Sequence, residues 1–185
     1  MARLVLASRS PQRRAILTQL GIAFDVLPAD VAEETDGDPA DVVLRNAQRK
    51  ARAVAGEMVL GVDTEVYLDG RLFGKPADER EARRFLEQLS GRTHEVFSGL
   101  ALIRDGEEIG GVARTQVTFR QLGPHLIEWY LASGEWRDRA GGYAVQGRGA
   151  ALIAGMDGDY WNVVGLPAAL LLDLAPDLLF WAPKA

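Results

Sequence analysis

The chain has 185 residues, of which 48% are hydrophobic and 25% are charged, and its formal net charge is -5. This composition is typical of a globular protein with a full core, and the acidic balance argues against broad binding to nucleic acid. The sequence has no cysteine and two histidines, so cysteine–zinc sites and disulfides are excluded and any metal would be bound by oxygen atoms. Because no apolar run reaches membrane length, we expect a cytoplasmic protein without a membrane partner.

The chain begins with a predicted strand over residues 3–7, followed by a helix. Ser10 is a suitable N-cap, Pro11 suits the first helical position, and Gly21 ends the helix. The free amides at a helix start attract anions. Polar and basic side chains close to them extend this predicted anion site: Ser8, Ser10, Arg13 and Arg14. A capped helix with exposed arginines explains the same pattern.

A second strand over residues 24–27 leads into an acidic loop over residues 30–38, which includes Glu33. Asp38 then caps a helix with Pro39 at its first position. Lys50 lies among alanines on this helix, where it can approach other backbone closely. A solvated loop and a solvated lysine are the ordinary alternatives.

The stretch from residue 59 to residue 76 is the most informative part of the sequence. An apolar run predicts a buried strand that ends at Asp63 and Thr64. Asp69-Gly70 predicts a tight hairpin, because glycine accepts a positive φ. The second strand ends in Gly74-Lys75-Pro76. An acid and a lysine at the ends of neighbouring strands suit a site for a metal cation and a phosphate; a surface turn with solvated charges is the alternative.

The remaining pattern predicts further helices and strands in an α/β arrangement. The predicted helices cover residues 78–89, 124–132 and 167–174, and the predicted strands cover residues 95–104, 111–119 and 150–153. In the second of these helices the predicted core residues are Leu126, Ile127, Trp129 and Tyr130. A turn is predicted at residues 157–160, and the glycine-rich segment 139–149 lets the backbone approach a ligand closely. Phosphate-binding P-loop, dinucleotide and nucleophile-elbow motifs are absent.

Several short motifs follow one another in a fixed order along the chain. They are Leu6-Ala7-Ser8 with Ser10-Pro11-Gln12-Arg13-Arg14, Glu33-Glu34-Thr35, Lys50-Ala51, Asp63-Thr64 with Gly74-Lys75-Pro76, Leu89-Ser90-Gly91 with His94, and the segments 140–147 and 158–167. Together they resemble the Maf family of nucleoside-triphosphate pyrophosphatases over nearly the whole chain.

The resemblance implies a fold and a reaction. The fold is a mixed, elongated α/β sheet flanked by helices, with two lobes around a central cleft, as in the inosine-triphosphate pyrophosphatases. A single domain would cover residues 1–185. The reaction is hydrolysis of a nucleoside triphosphate between the α and β phosphates, which gives a monophosphate and pyrophosphate. A divalent metal, Mg²⁺ or Mn²⁺, is the implied cofactor, and a homodimer is common in the family.

The resemblance also implies residue roles. Asp63 looks like the proton acceptor and a metal ligand, and Glu33 looks like the second acid and metal ligand. Lys50 and Lys75 look like phosphate lysines, while the side chains that look like triphosphate binders are those of Ser8, Ser10 and Arg13, with Arg14 beside them. The implied specificity positions are Gln12, Thr64 and Gln146.

The three specificity positions do not all indicate the same preferred nucleobase. Thr64 and Gln146 match the branch of the family that prefers dTTP and UTP, whereas Gln12 stands where that branch has arginine. Arg139 stands where many relatives have lysine, which keeps the charge but not the geometry. A broader specificity, or one for modified nucleotides, stays open. A nucleotide-binding regulator of septum formation without turnover is the alternative from another class.

Overall fold

The computed structural model describes residues 3–180, and in it seven strands form one mixed sheet flanked by helices. The strands are β1 (Leu4–Leu6), β2 (Phe24–Val26), β3 (Met58–Leu68), β4 (Arg71–Phe73), β5 (Thr93–Arg104), β6 (Glu107–Phe119) and β7 (Ile153–Asp157). The helices are α1 (Pro11–Gln19), α2 (Pro39–Arg52), α3 (Glu79–Leu89), α4 (Pro124–Leu131), α5 (Tyr160–Val164) and α6 (Ala168–Leu174). The predicted mixed α/β class is therefore confirmed.

The sheet has the strand order β2-β1-β3-β5-β6-β7, and the short β4 pairs with β3. β1 runs parallel to both of its neighbours, β2 and β3. The other four pairs are antiparallel: β3 with β4, β3 with β5, β5 with β6 and β6 with β7. In the part of the chain between residues 3 and 180, no helix is long and apolar enough to cross a membrane.

Among residues 3–180 the core has three apolar clusters, and the two larger ones lie in two lobes on either side of the middle of β3 and β5. Leu60 and Val62 of β3 belong to the cluster that packs with β1, α1 and α6. Val66 and Leu68 of the same strand belong to the cluster that packs with α3 and α4. Residues 63–65 lie between the two clusters, so the middle of β3 carries the polar side chains at the junction of the lobes.

The predicted helix starts and hairpin are present for the expected reasons. The Ser10 side chain accepts a hydrogen bond from the Arg13 amide, and the Asp38 side chain accepts from two amides of the first turn of α2. Asp69 and Gly70 have φ values of 50° and 82°, and this left-handed pair makes the turn between β3 and β4.

Several predicted boundaries are wrong. β3 does not end at Asp63 but continues to Leu68, because the residues after Asp63 alternate between the two faces of the sheet. Residues 148–152 form a 3₁₀ turn, and β7 follows them at Ile153–Asp157. Helix α5 begins at Tyr160, the last residue of the predicted turn, and β6 starts earlier than predicted. Trp129 is 44% exposed, with the Arg148 guanidinium over its ring, so it is not part of the core.

Candidate functional site

A cleft of about 490 Å³ lies where the start of α1, the loop before α2, the middle of β3 and the segment after β4 come together. Val96 of β5, residues 138–140, Tyr143 and residues 163–165 complete its lining. Most of the residues predicted from the sequence line this cleft, namely Ser8, Ser10, Gln12, Arg13, Glu33, Lys50, Thr64 and Lys75. The fold thus brings together side chains that are far apart in the sequence.

Asp63 is a buried acid in the middle of β3, with 4% of its surface exposed. Its Oδ1 accepts a hydrogen bond from Lys50 Nζ at 2.6 Å, and its Oδ2 accepts one from Asn46 Nδ2 at 2.9 Å. Asn46 and Lys50 are one turn apart on α2, so they project from the same face of the helix. Helix α2 therefore fixes both oxygens of the carboxylate.

Lys50 joins Asp63 to the second predicted acid. Its Nζ is 2.6 Å from Glu33 Oε1 as well as 2.6 Å from Asp63 Oδ1, and the lysine is 8% exposed. The loop that carries Glu33 is held by Asn46, whose side chain exchanges hydrogen bonds of 2.8 and 2.9 Å with the Glu34 backbone. A buried ammonium group between two carboxylates offsets their repulsion and the cost of removing the charges from water.

Two glycines allow α2 to lie close enough to the sheet for these contacts. A Cβ atom on Gly61 would lie 2.1 Å from the Ala47 carbonyl oxygen, and one on Gly99 would lie 2.2 Å from the Val43 carbonyl oxygen. Gly99 of β5 is the direct cross-strand partner of Asp63. The backbone of α2 therefore occupies the space that any side chain at these positions would need.

Arg13 is fixed at the wall of the cleft by three elements. Its Nε donates to the Gly165 carbonyl oxygen at 2.8 Å, one terminal nitrogen donates to Ser8 Oγ at 2.9 Å, and the other donates to Thr64 Oγ1 at 3.3 Å. Thr64 Oγ1 also lies 2.8 Å from Ser98 Oγ. The guanidinium is therefore preorganised at the start of α1, where the helix amides also favour an anion.

Glu65 adds an acid that the motif analysis did not single out. Burial raises the pKa of Glu65 to about 8, and the negative charges of Asp63 and Glu33 act in the same direction, while Lys50 and Lys75 oppose them. Its Oε2 is buried and has no hydrogen-bond partner among residues 3–180. In the absence of a ligand, the site therefore favours a protonated Glu65 at neutral pH.

Gln12 also lines the cleft and contacts a distant residue there. Its Oε1 accepts hydrogen bonds from Ser10 Oγ at 3.0 Å and from Arg139 Nη1 at 2.9 Å. Three predicted residues are not among those that line the cleft: Asp63, which is buried beside it, Arg14 and Gln146. Arg14 is exposed and lines a separate shallow depression beside β2, and Gln146 is exposed and does not line the cleft.

Asn46 is the main residue that sequence reasoning missed. It is fully buried and contacts both Asp63 and the Glu34 backbone. The available signal was its spacing, because Asn46 precedes Lys50 by four residues on a helical face that is otherwise apolar. A polar residue on such a face needs a partner, and here the partner is the central acid.

Comparisons with known proteins place these features in a wider group. A family model described as Maf-like protein matches residues 3–178. A protein of Anaeromyxobacter dehalogenans (strain 2CP-C) named dTTP/UTP pyrophosphatase is 51% identical over 173 residues, which cover 90% of this chain and 89% of that protein. A protein of the same name from Symbiobacterium thermophilum is 50% identical, and the match covers 90% of this chain and 89% of that protein. Another from Pyrococcus furiosus is 43% identical, and the match covers 94% of each chain.

Among solved structures, the chain is distantly similar to the Ham1 protein of Staphylococcus aureus. The TM-score is 0.44 and the sequence identity is 14%, and the match covers 63% of this chain and 71% of that one.

Proposed function

Since the chain belongs to the Maf-like proteins, we propose that it hydrolyses nucleoside triphosphates between the α and β phosphates, giving a monophosphate and pyrophosphate. The printed name of its relatives supports dTTP and UTP as the favoured substrates. The observation that carries the proposal is the acid–lysine–acid cluster of Asp63, Lys50 and Glu33 beside a cleft that also contains Arg13 and Lys75.

The lining of the cleft supports binding of a triphosphate. Ser8, Ser10 and Arg13 surround the start of α1, and Lys75 adds a second positive charge from the segment after β4. Hydroxyl and cationic groups of this kind bind phosphate oxygens and stabilise the charge that develops on the leaving pyrophosphate. The positive charges are local, which is compatible with the acidic balance of the whole chain.

We assign to Asp63 the role of accepting the proton that the attacking water loses. Hydrolysis needs a proton acceptor held in a defined orientation, and Asn46 and Lys50 hold the two oxygens of this carboxylate. Lys50 also provides a positive charge beside the reacting groups. Glu33 accepts the same ammonium group, so the position of Lys50 depends on both acids.

The residues of the cluster fit a divalent metal that is shared with the substrate. Asp63 and Glu33 would hold it, because carboxylate oxygens are the ligands that Mg²⁺ and Mn²⁺ prefer. Among residues 3–180 no three acids or histidines are grouped as a metal site, so phosphate oxygens and water would have to supply the remaining ligands of the ion. When bound, the ion would neutralise charge on the phosphates.

A panel of nucleoside triphosphates tests the proposal. We expect the purified protein with Mg²⁺ or Mn²⁺ to release pyrophosphate and monophosphate, with dTTP and UTP as the best substrates. Release of only inorganic phosphate would contradict cleavage between the α and β phosphates. Nucleotide binding without turnover of any triphosphate, modified ones included, would instead support the regulator hypothesis.

The role of Asp63 is tested by its isosteric amide. We expect Asp63→Asn to lower kcat by at least about 100-fold, the scale of a lost general base. The unfolding midpoint should also fall, because the new NH₂ group would face a donor, Asn46 Nδ2 or Lys50 Nζ, so rates are compared at a temperature where the variant is folded. Asp173→Asn is the matched control, because Asp173 is an exposed acid that does not line the cleft. A folded Asp63→Asn protein with a rate near that of the control would rule out this assignment.

A further inference from the structure

Asn162 is a fully buried polar residue in the short helix α5, whose C-terminal end forms part of the cleft wall. Its side-chain nitrogen donates to the Val96 carbonyl oxygen of β5 at 3.0 Å and to Thr115 Oγ1 of β6 at 3.0 Å. Val96 and Thr115 are direct cross-strand partners. A single amide group therefore attaches α5 to two adjacent strands of the sheet.

Thr115 completes this attachment, and the hydrogen-bonding capacity of its hydroxyl group is fully used. Besides the bond from Asn162, its Oγ1 accepts one from the Asp159 amide at 3.1 Å and donates one to the Asp159 carbonyl oxygen at 3.1 Å. A hydroxyl group has one hydrogen and two lone pairs, so all three are engaged. Asp159 in turn caps α5. Asn162 and Thr115, which together form the α5 anchor, therefore hold both the start and the middle of this helix.

The α5 anchor is connected with two of the three groups that fix Arg13. Gly165 follows α5 directly, and its carbonyl oxygen accepts from Arg13 Nε at 2.8 Å. The Asn162 carbonyl oxygen accepts from Ser98 Oγ at 3.4 Å, and Ser98 Oγ lies 2.8 Å from Thr64 Oγ1. Thr64 Oγ1 then accepts from Arg13 Nη2 at 3.3 Å. The anchor thus reaches the guanidinium by one route through backbone and by a second route through hydroxyl groups.

Arg13 depends on these routes because its partners are neutral. Within residues 3–180 its hydrogen bonds all go to uncharged oxygen atoms, those of Ser8, Thr64 and Gly165. Neutral acceptors leave the positive charge available to an anion in the cleft, but they fix the guanidinium only as firmly as they are fixed themselves. The Asn162 side-chain oxygen is buried without a partner in the same range. Such an oxygen costs stability, so stability alone does not explain an asparagine at this position.

We propose that Asn162 is a positioning residue for Arg13, and that it thereby sets the affinity of the cleft for the phosphate groups of the substrate. It acts through the backbone of α5 and through the hydroxyl groups of Ser98 and Thr64. This inference rests on the proposed function and deepens it, since it explains how the phosphate-binding guanidinium is held. Asn162 itself does not line the cleft.

The test replaces Thr115, because this residue supports Asn162 and does not line the cleft. Thr115→Val keeps the shape but has no hydroxyl group, whereas Thr115→Ser keeps the hydroxyl group and loses a methyl group. Both variants should have a lower urea-unfolding midpoint than the parent. Thr115→Val alone should bind inorganic pyrophosphate about tenfold more weakly in calorimetry, the scale of one hydrogen bond. The KM for UTP should rise by a similar factor, with a smaller change in kcat.

Arg13 provides a second measurement that needs neither substrate nor turnover. Because its Nε–H group is bonded to the Gly165 carbonyl oxygen, the exchange of this proton with water, followed by NMR, reports on the contact. In Thr115→Val the proton should exchange at least about tenfold faster than in the parent and in Thr115→Ser. In an Arg13→Met background, Thr115→Val should weaken pyrophosphate binding no further, because the anchor acts through Arg13.

The outcomes separate this inference from the proposed function. Unchanged pyrophosphate affinity and unchanged Nε–H exchange in Thr115→Val would overturn the inference, and so would equal losses in Thr115→Val and Thr115→Ser. A full further loss in the Arg13→Met background would also overturn it, because the anchor would then act elsewhere. If the parent neither hydrolyses UTP nor binds pyrophosphate, while Nε–H exchange still distinguishes the two Thr115 variants, the proposed function fails and the positioning of Arg13 stands. Should Thr115→Val not fold, Ser98→Ala interrupts the second route, and the same measurements decide.

Discussion

Replacing Gly99 with alanine is expected to damage the site by displacing helix α2, which packs on the face of the sheet that carries both Gly99 and Asp63. The new Cβ atom would lie 2.2 Å from the Val43 carbonyl oxygen and 2.5 Å from the Leu44 amide nitrogen. Non-bonded carbon and oxygen atoms need more than 3 Å, so the α2 backbone has to move away from the sheet by roughly 1 Å, because a close-packed interior leaves no other space. Gly99 is directly opposite Asp63, so the displacement falls where α2 reaches the acid.

The expected size of the effect follows from the contacts that α2 supplies. Overpacking of this kind costs about 1–3 kcal/mol of unfolding free energy. The hydrogen bonds from Lys50 and Asn46 to Asp63 measure 2.6 and 2.9 Å, and a shift of roughly 1 Å takes both beyond the normal range. A misplacement of that size costs on the order of 100-fold in rate, so kcat should fall much more than the loss of folded protein explains.

The assay combines urea unfolding with pyrophosphate release from UTP, at a urea-free condition where the variant is folded. Gly155→Ala is the matched control, because Gly155 is in strand β7 of the same sheet and a Cβ atom there would meet nothing within 4 Å. We expect this control to keep both its stability and its rate. A Gly99→Ala protein with parent-like stability would refute the packing argument, and one that is destabilised but fully active would refute the link between α2 and the site.

Two further predictions concern pH. Burial lowers the pKa of His94 to about 4 from an ordinary value of 6.5. As the pH falls, the unfolded chain therefore binds a proton at this histidine before the folded protein does. Up to about 3 kcal/mol of unfolding free energy, which is present above pH 6.5, is lost as the pH falls toward 4. His94→Gln should remove this part of the acid sensitivity, whereas His125→Gln, at an exposed position, should not. If the unfolding free energy measured in urea depended on pH in the same way in both variants, the assignment to His94 would be wrong. The pKa of Glu65 is raised to about 8 from 4.5, so in EDTA the parent should lose stability relative to Glu65→Gln as the pH rises from 4.5 to 8, by at most about 5 kcal/mol. A stability difference between these two proteins that does not change with pH would show that Glu65 is not protonated in the folded state.

The local features of the fold were readable from the sequence, because they depend on neighbouring residues. Ser10 and Asp38 cap their helices, and Asp69-Gly70 makes its turn, in each case through contacts within four residues. The predicted end of β3 is wrong for the opposite reason. A charged residue normally marks the point where a strand leaves the core, but Asp63 stays buried because α2 supplies Lys50 to it, and that is a tertiary contact.

The candidate site was predicted largely through the family resemblance, since single acids and lysines are ambiguous on their own. Most of the site residues that the resemblance implies line the cleft, but Arg14 and Gln146 are exposed outside its lining and Asp63 is buried beside it. Asn46 could not be recognised as an Asp63 partner before α2 was placed on the sheet. The single domain, the cytoplasmic location, the absence of nucleic-acid and membrane partners and the homodimer stay predictions.

The double attachment of Asn46 has a consequence for how the loop before α2 can vary in length. Asn46 holds the Glu34 backbone through both its oxygen and its nitrogen, and the same side chain bonds to Asp63. Glu33 is thus anchored from its C-terminal side, independently of the path that the chain takes after β2. Residues inserted or deleted at positions 30 and 31 would change that path while Glu33 kept its place beside Lys50. The loop should therefore tolerate changes of length there, beyond Ala29, which lines the cleft and packs against an apolar cluster that includes Ala47 and Ala51.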